Sequence, residues 1–67
     1  MIKGGFGGEF MRSIELIIYG LRRNGATIYD IDAEIDYREK HFTVNDEKCF
    51  AYSLEELKLA KSGWNIY

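Results

Sequence analysis

Apolar and acidic side chains alternate almost without exception over residues 27–37 of this chain. Tyr29, Ile31, Ala33, Ile35 and Tyr37 fall on one side of the alternation, and Asp30, Asp32, Glu34 and Asp36 fall on the other. Successive side chains of a β-strand point to opposite faces of its sheet, so a period of two is typical of a half-buried strand. The pattern therefore predicts a strand over residues 27–37 with an apolar inner face and an acidic outer face.

Two shorter segments complete a predicted antiparallel meander. Residues 42–44 follow a charged turn and alternate in the same way, which indicates a second strand. A polar turn at residues 45–48 leads to residues 49–52, which we interpret as a short third strand. In the favoured register, the apolar side chains of all three strands share the inner face of the sheet.

Helices are predicted on both sides of this meander. Apolar residues recur at spacings of three and four over residues 10–23, and Gly25 then provides a helix stop. Ser53 and Glu56 have the spacing of a capping box, which predicts a helix over residues 54–62. We therefore expect a small two-layer α+β domain. Its order is helix, two- or three-stranded meander, helix (αβββα), with both helices on one face of the sheet.

The chain is long enough for one domain, which we assign to residues 11–67. Residues 1–10 hold four of the seven glycines, and we interpret them as a flexible leader that is vector-derived or native. A single cysteine excludes an internal disulfide. No apolar run approaches the roughly 20 residues of a membrane span, and no signal peptide is visible, so we expect a cytoplasmic protein.

The acidic row is the strongest functional signal in the sequence. Its members are Asp30, Asp32, Glu34 and Asp36. One interpretation is a solvated face of the sheet. The alternative that we favour is a surface for a basic partner, because a row of one sign complements the groove of a nucleic-acid-binding protein. Phage-type inhibitors of host enzymes work in this way. Metal binding is a weaker hypothesis, because neighbouring members lie roughly 6.5–7 Å apart along a strand, too far to chelate one ion without help from a second strand or loop. Carboxylate catalysis is weaker still, because an open sheet face offers no apolar cleft to separate two pKa values.

Other residues support alternative functions. Arg22, Arg23, Lys58 and Lys61 are candidate nucleic-acid contacts, although an acidic sheet face would repel phosphates. Tyr19, Trp64 and Tyr67 are candidate interface aromatics, since aromatic residues are enriched at interfaces. A homodimer is a third possibility, because small cores are often completed by a partner.

Catalysis and cofactor binding have little support in the sequence. His41 and Cys49 are the lone imidazole and thiol, and no flanking motif marks them as a nucleophile pair. One His and one Cys are too few for a zinc site within one chain. We therefore expect a small non-enzymatic interaction or regulatory protein, with no metal and no cofactor.

Overall fold

The computed structural model describes residues 13–67, which form three α-helices and one short 3-10 helix. Helix α1 spans Ile14–Arg23, α2 spans Ile28–His41, the 3-10 helix spans Glu47–Cys49 and α3 spans Leu54–Gly63. These described residues contain no strand, so the predicted α+β fold is wrong and the domain is all-helical. The predicted leader, residues 1–10, lies outside the described residues.

Helix α1 ends where the sequence predicted. Gly25 has a left-handed backbone with a φ of 84°, and its amide donates to the carbonyl of Arg22 at 3.0 Å. The amide of Ala26 donates to the carbonyl of Leu21, also at 3.0 Å. These two bonds form a Schellman motif, which satisfies carbonyl groups that the helix leaves without partners. The predicted helix stop at Gly25 is therefore confirmed.

Helix α2 replaces the predicted first strand. The Thr27 side chain accepts a hydrogen bond from the Asp30 amide (3.2 Å), and the Asp30 carboxylate accepts one from the Thr27 amide (2.9 Å). This capping box starts a helix at the point where the strand was expected to begin. Ile31 and Ile35 obey the alternation, but they are also four residues apart and lie together in the core. Tyr29, assigned to the same strand face, is 81% exposed.

The predicted second and third strands are also wrong, because the chain turns repeatedly between α2 and α3. Phe42 ends α2 with a left-handed φ of 58°, which is incompatible with an extended strand. The Asp46 side chain then accepts a hydrogen bond from the Lys48 amide (2.9 Å) and begins the 3-10 helix. Cys49, at the end of that helix, is fully buried. We call residues 42–53 the connecting loop.

Helix α3 confirms the second helix prediction. The Ser53 hydroxyl accepts from the Glu56 amide (3.2 Å), and the Glu56 carboxylate accepts from the Ser53 amide (2.9 Å). Gly63 is the last residue of α3 and is buried. A Cβ atom there would lie 2.8 Å from Cγ2 of Ile14, so glycine allows α3 to approach α1 closely.

Helix α3 packs against both α1 and α2 and so organises the core. The buried apolar residues are Ile17, Ile18, Leu21, Ala26, Ile31, Ile35, Cys49, Leu57 and Ala60. Helix α3 contributes Leu57 and Ala60 to this core, whereas Lys61 is exposed. None of the helices in the described part of the chain combines the length and the apolar character needed to cross a membrane.

Candidate functional site

A groove of about 410 Å³ lies where the C-terminal residues approach α1. Its lining residues are Glu15, Leu16, Ile18, Tyr19, Arg22 and Tyr67. Helix α1 supplies five of these six residues, because side chains three and four positions apart lie on the same side of a helix. The charged residues Glu15 and Arg22 lie about two turns apart, so apolar side chains fill the stretch between them.

Arg22 holds the C-terminal residues against α1. Its guanidinium donates to the carbonyl of Tyr67 at 2.9 Å and to the carbonyl of Trp64 at 2.8 Å. The same guanidinium lies 4.6 Å from the centre of the Trp64 ring, which is a cation–π contact. Hydrogen bonds that involve a charged donor are shorter and stronger than neutral ones. These contacts of Arg22 therefore fix the side of the groove that the C-terminal residues form.

Large apolar side chains at the groove remain open to solvent. Leu16 is 60% exposed, Tyr19 is 59% exposed and Tyr67 is 54% exposed. The guanidinium of Arg23 lies 5.7 Å from the centre of the Tyr19 ring and covers part of its face. Contiguous apolar surface with a polar rim is typical of a site that contacts another molecule.

The structure brings the three predicted interface aromatics to one side of the domain. Tyr19 and Tyr67 line the groove, and Trp64 stacks on Arg22, which also lines it. Arg22 and Trp64 lie 42 positions apart in the sequence, so their proximity depends on the packing of α3 against α1. Sequence reasoning missed Leu16 as a site residue. Its spacing of three from Tyr19 is a signal that was present, because both side chains share a face of a helix.

The acidic row does not form one surface, because its residues lie on a helix. Positions two apart on an α-helix are separated by about 200° around the axis. Each of the four carboxylates forms an ion pair instead: Asp30 with Lys48 (3.1 Å), Asp32 with Lys61, Glu34 with Arg38 (2.7 Å) and Asp36 with Lys40 (3.2 Å). The predicted single-sign acidic face is therefore replaced by neutralised pairs on different sides of α2.

Glu34 is the most constrained member of the row and is fully buried. Its carboxylate accepts hydrogen bonds from Arg38 Nε (2.7 Å), the Asn45 amide (3.0 Å) and the Asp46 amide (2.9 Å). Burial by itself would raise the pKa of the Glu34 carboxyl, but these three donors outweigh it and lower that pKa overall. The charge of Glu34 is thus used to attach the connecting loop to α2.

Arg38 completes this attachment from the other side of the ion pair. Its two terminal nitrogens donate to the carbonyl of Tyr52 (2.6 Å) and the carbonyl of Cys49 (2.8 Å). The buried pair of Glu34 and Arg38 therefore binds four backbone groups of the connecting loop. We call these two side chains and the four backbone groups the loop clamp. The charged groups of Glu34 and Arg38 are occupied by these bonds within the domain, so they are not available to a partner.

Asp30 also has a structural role. Its carboxylate accepts from the Thr27 amide and from Lys48 Nζ at 3.1 Å. The hydrogen bond from the Thr27 backbone and the one from Lys48 lower the pKa of the Asp30 carboxyl, and the same contact with Asp30 raises the pKa of Lys48. Capping and ion pairing at the start of α2 explain this member of the row.

The candidate nucleic-acid contacts are divided between two places. Arg22 and Arg23 lie at the end of α1, where Arg22 is bonded to two backbone carbonyls. Lys58 pairs with Glu39 (3.0 Å) and Lys61 pairs with Asp32, so both lysines face acidic residues of α2. The four side chains do not combine into one basic patch, and two of them are already neutralised.

The lone histidine and cysteine occupy different environments. His41 is exposed at the end of α2, where its ring lies 4.4 Å from the ring of Tyr37. Cys49 is fully buried, and burial raises the pKa of its thiol to about 11. A buried thiol that keeps its proton is a poor nucleophile. Within residues 13–67, no group of three or more His, Cys, Asp or Glu side chains has the geometry of a metal site.

No family model, no curated protein and no solved structure matches this chain. The evidence for the function of this domain therefore comes from its own surface.

Proposed function

We propose that this protein is a non-enzymatic interaction module that binds a protein partner through the groove along α1. The observation that carries the proposal is the convergence of Leu16, Tyr19 and Tyr67 as exposed neighbours. Tyr, Trp and Arg are the residues that most often contribute binding free energy at protein interfaces. Tyr19, Tyr67 and Arg22 line the groove, and the Arg22 guanidinium also contacts the ring of Trp64.

The rigidity of the groove supports this proposal. Arg22 makes two hydrogen bonds and one ring contact with the C-terminal residues, and Gly63 allows those residues to lie directly on α1. A surface that is already ordered loses less conformational entropy when it binds. The backbone at Trp64 and Tyr67 is therefore already held against α1 before a partner binds.

The groove is a better candidate surface than the acidic row of α2. Asp32 and Asp36 are exposed, but a lysine neutralises each of them, and Glu34 is buried. A basic partner would have to break those pairs to reach the carboxylates. We therefore do not retain an inhibitor that acts through an acidic strand. We place the module in the cytoplasm as part of the same proposal, in keeping with a lone buried thiol at Cys49.

Site-specific photo-crosslinking in the native cells tests this proposal. A photoreactive phenylalanine analogue replaces Leu16 in the groove, and in a matched control it replaces Phe50, which is 72% exposed and does not line the groove. We expect a crosslinked protein product from position 16 that is lost when Tyr19→Ala is added. The product can contain a second copy of the chain or a different protein. Equal products from both positions, or none from position 16, would refute the proposal.

A further inference from the structure

The outward stripe of α1 has a symmetric arrangement of charge and apolar surface. Its residues are Glu15, Leu16, Tyr19, Arg22 and Arg23. Each residue advances an α-helix by 1.5 Å and about 100°. Glu15 and Arg23 therefore lie about 6 Å on either side of Tyr19 along the axis, and about 40° on either side of it around the axis. Leu16 and Arg22 are related to Tyr19 in the same symmetric way, at smaller axial distances.

We propose that the occupant of the groove is a second copy of this chain, with the two α1 helices antiparallel. This inference rests on the proposed function and names its partner. A two-fold axis at Tyr19 would place Glu15 of each copy level with Arg23 of the other, and Leu16 level with Arg22. An isologous interface requires a self-complementary patch, and this stripe is acidic at one end, apolar in the middle and basic at the other.

The charges at the two ends of the stripe lack ion-pair partners among residues 13–67. Acidic residues of α2 and the lysines opposite them are neutralised in pairs. Glu15 and Arg23 form no such pair with any described residue, and the guanidinium of Arg23 lies over the ring of Tyr19. Antiparallel pairing would supply the missing counter-charge twice, once at each end of the interface.

Burial of the stripe would also extend a small core. The opposite side of α1 already contributes Ile17, Ile18 and Leu21 to the interior. A domain of this size buries a smaller fraction of its surface than a larger one, and small domains are often completed by association. The pairing would bury Leu16 and Tyr19 and would place the second copy next to Tyr67, which also lines the groove.

A charge-exchange experiment on the purified full chain tests this arrangement. Sedimentation velocity over a range of concentrations measures the dimer dissociation constant. We expect wild-type protein to dimerise, and Glu15→Arg and Arg23→Glu each to weaken the dimer at least about tenfold. An equimolar mixture of the two variants should form a heterodimer, because the arginine introduced in one chain then meets the glutamate introduced in the other. Recovery of association in the mixture would show that each variant had lost its charge pairing and not its fold.

The matched control is Glu55→Arg, because Glu55 occupies the same capping-relative position in α3 as Glu15 does in α1. It should leave the dimer unchanged. A monomeric wild type, or a mixture that associates no better than each variant alone, would overturn the proposed pairing. If crosslinking from position 16 then captures a different protein, the interaction module stands and only its self-association falls. If crosslinking also fails, both proposals fall.

Discussion

Replacing Glu34 with Ala should destabilise the domain far more than replacing Asp36 with Ala, although both residues belong to the same acidic row. Glu34 is buried and accepts three hydrogen bonds as part of the loop clamp. Asp36 is two-thirds exposed and pairs with Lys40 one helical turn away. On a solvated strand face the two substitutions would be nearly equivalent, so the comparison also tests the helix.

The magnitude of the difference follows from the partners that each substitution leaves behind. Glu34→Ala leaves the buried Arg38 charge without its counter-ion, and breaking one partner of a buried ion pair costs about 3–5 kcal/mol. It also removes the acceptor of the Asn45 and Asp46 amides. Asp36→Ala removes an exposed pair worth about 0–1 kcal/mol. Since a core this small rarely supplies more than about 3–5 kcal/mol, the Glu34 variant should be largely unfolded.

Urea unfolding followed by the fluorescence of Trp64, the single tryptophan, measures this difference. Circular dichroism at 222 nm provides an independent measure of the helices. A Glu34→Leu, Arg38→Met double substitution should not restore stability, because the carbonyls of Cys49 and Tyr52 would lose the donors they have in the clamp. If Glu34→Ala and Asp36→Ala differ by less than about 0.5 kcal/mol, the loop clamp does not hold the fold together.

Two further changes test other parts of the structure. Phe42→Gly should raise the free energy of unfolding, measured by urea denaturation, by about 0.5–1 kcal/mol. Glycine relieves the left-handed strain at φ 58°, and the greater freedom of its unfolded chain cancels part of that gain. A loss of stability would mean that the Phe42 ring, which is 87% exposed, makes a stabilising contact. Raising the pH should destabilise wild type relative to Cys49→Ala. The folded thiol keeps its proton to about pH 11 against 9.0 when unfolded, so its contribution is complete below pH 9.0 and is lost as the pH rises through about 11. A wild-type-to-variant difference in unfolding free energy that stays constant with pH would contradict this.

The helix ends at Gly25 and Ser53 could be predicted, whereas the middle of the chain could not. A Schellman stop and a capping box depend on a few consecutive residues, so their signals are local. Over residues 27–37 two periods compete, because Ile31 and Ile35 satisfy both the strand and the helix pattern. Thr27 and Asp30 form a capping box in the structure, and the prediction from the sequence did not consider their spacing.

The site shows the same division between local and distant information. The aromatics at positions 19, 64 and 67 could be chosen from residue type, but their assembly needs the guanidinium of Arg22 to reach residues more than 40 positions away. Leu16 is exposed on the same side of α1 as Tyr19, three positions away, so its spacing could have identified it as a site residue.

Residue types and short-range spacing alone determined where α1 stops, where α3 starts and which aromatics were candidates for an interface. Tertiary structure alone decided that Glu34 and Arg38 are buried as a clamp and that the acidic row is divided into ion pairs, whereas helix α2 also has a local signal in its Thr27–Asp30 capping box. The physical reason is that capping involves groups within a few residues of one another. Burial and ion pairing depend on which distant segments come into contact. The packing of α3 against α1 and α2 determines those contacts.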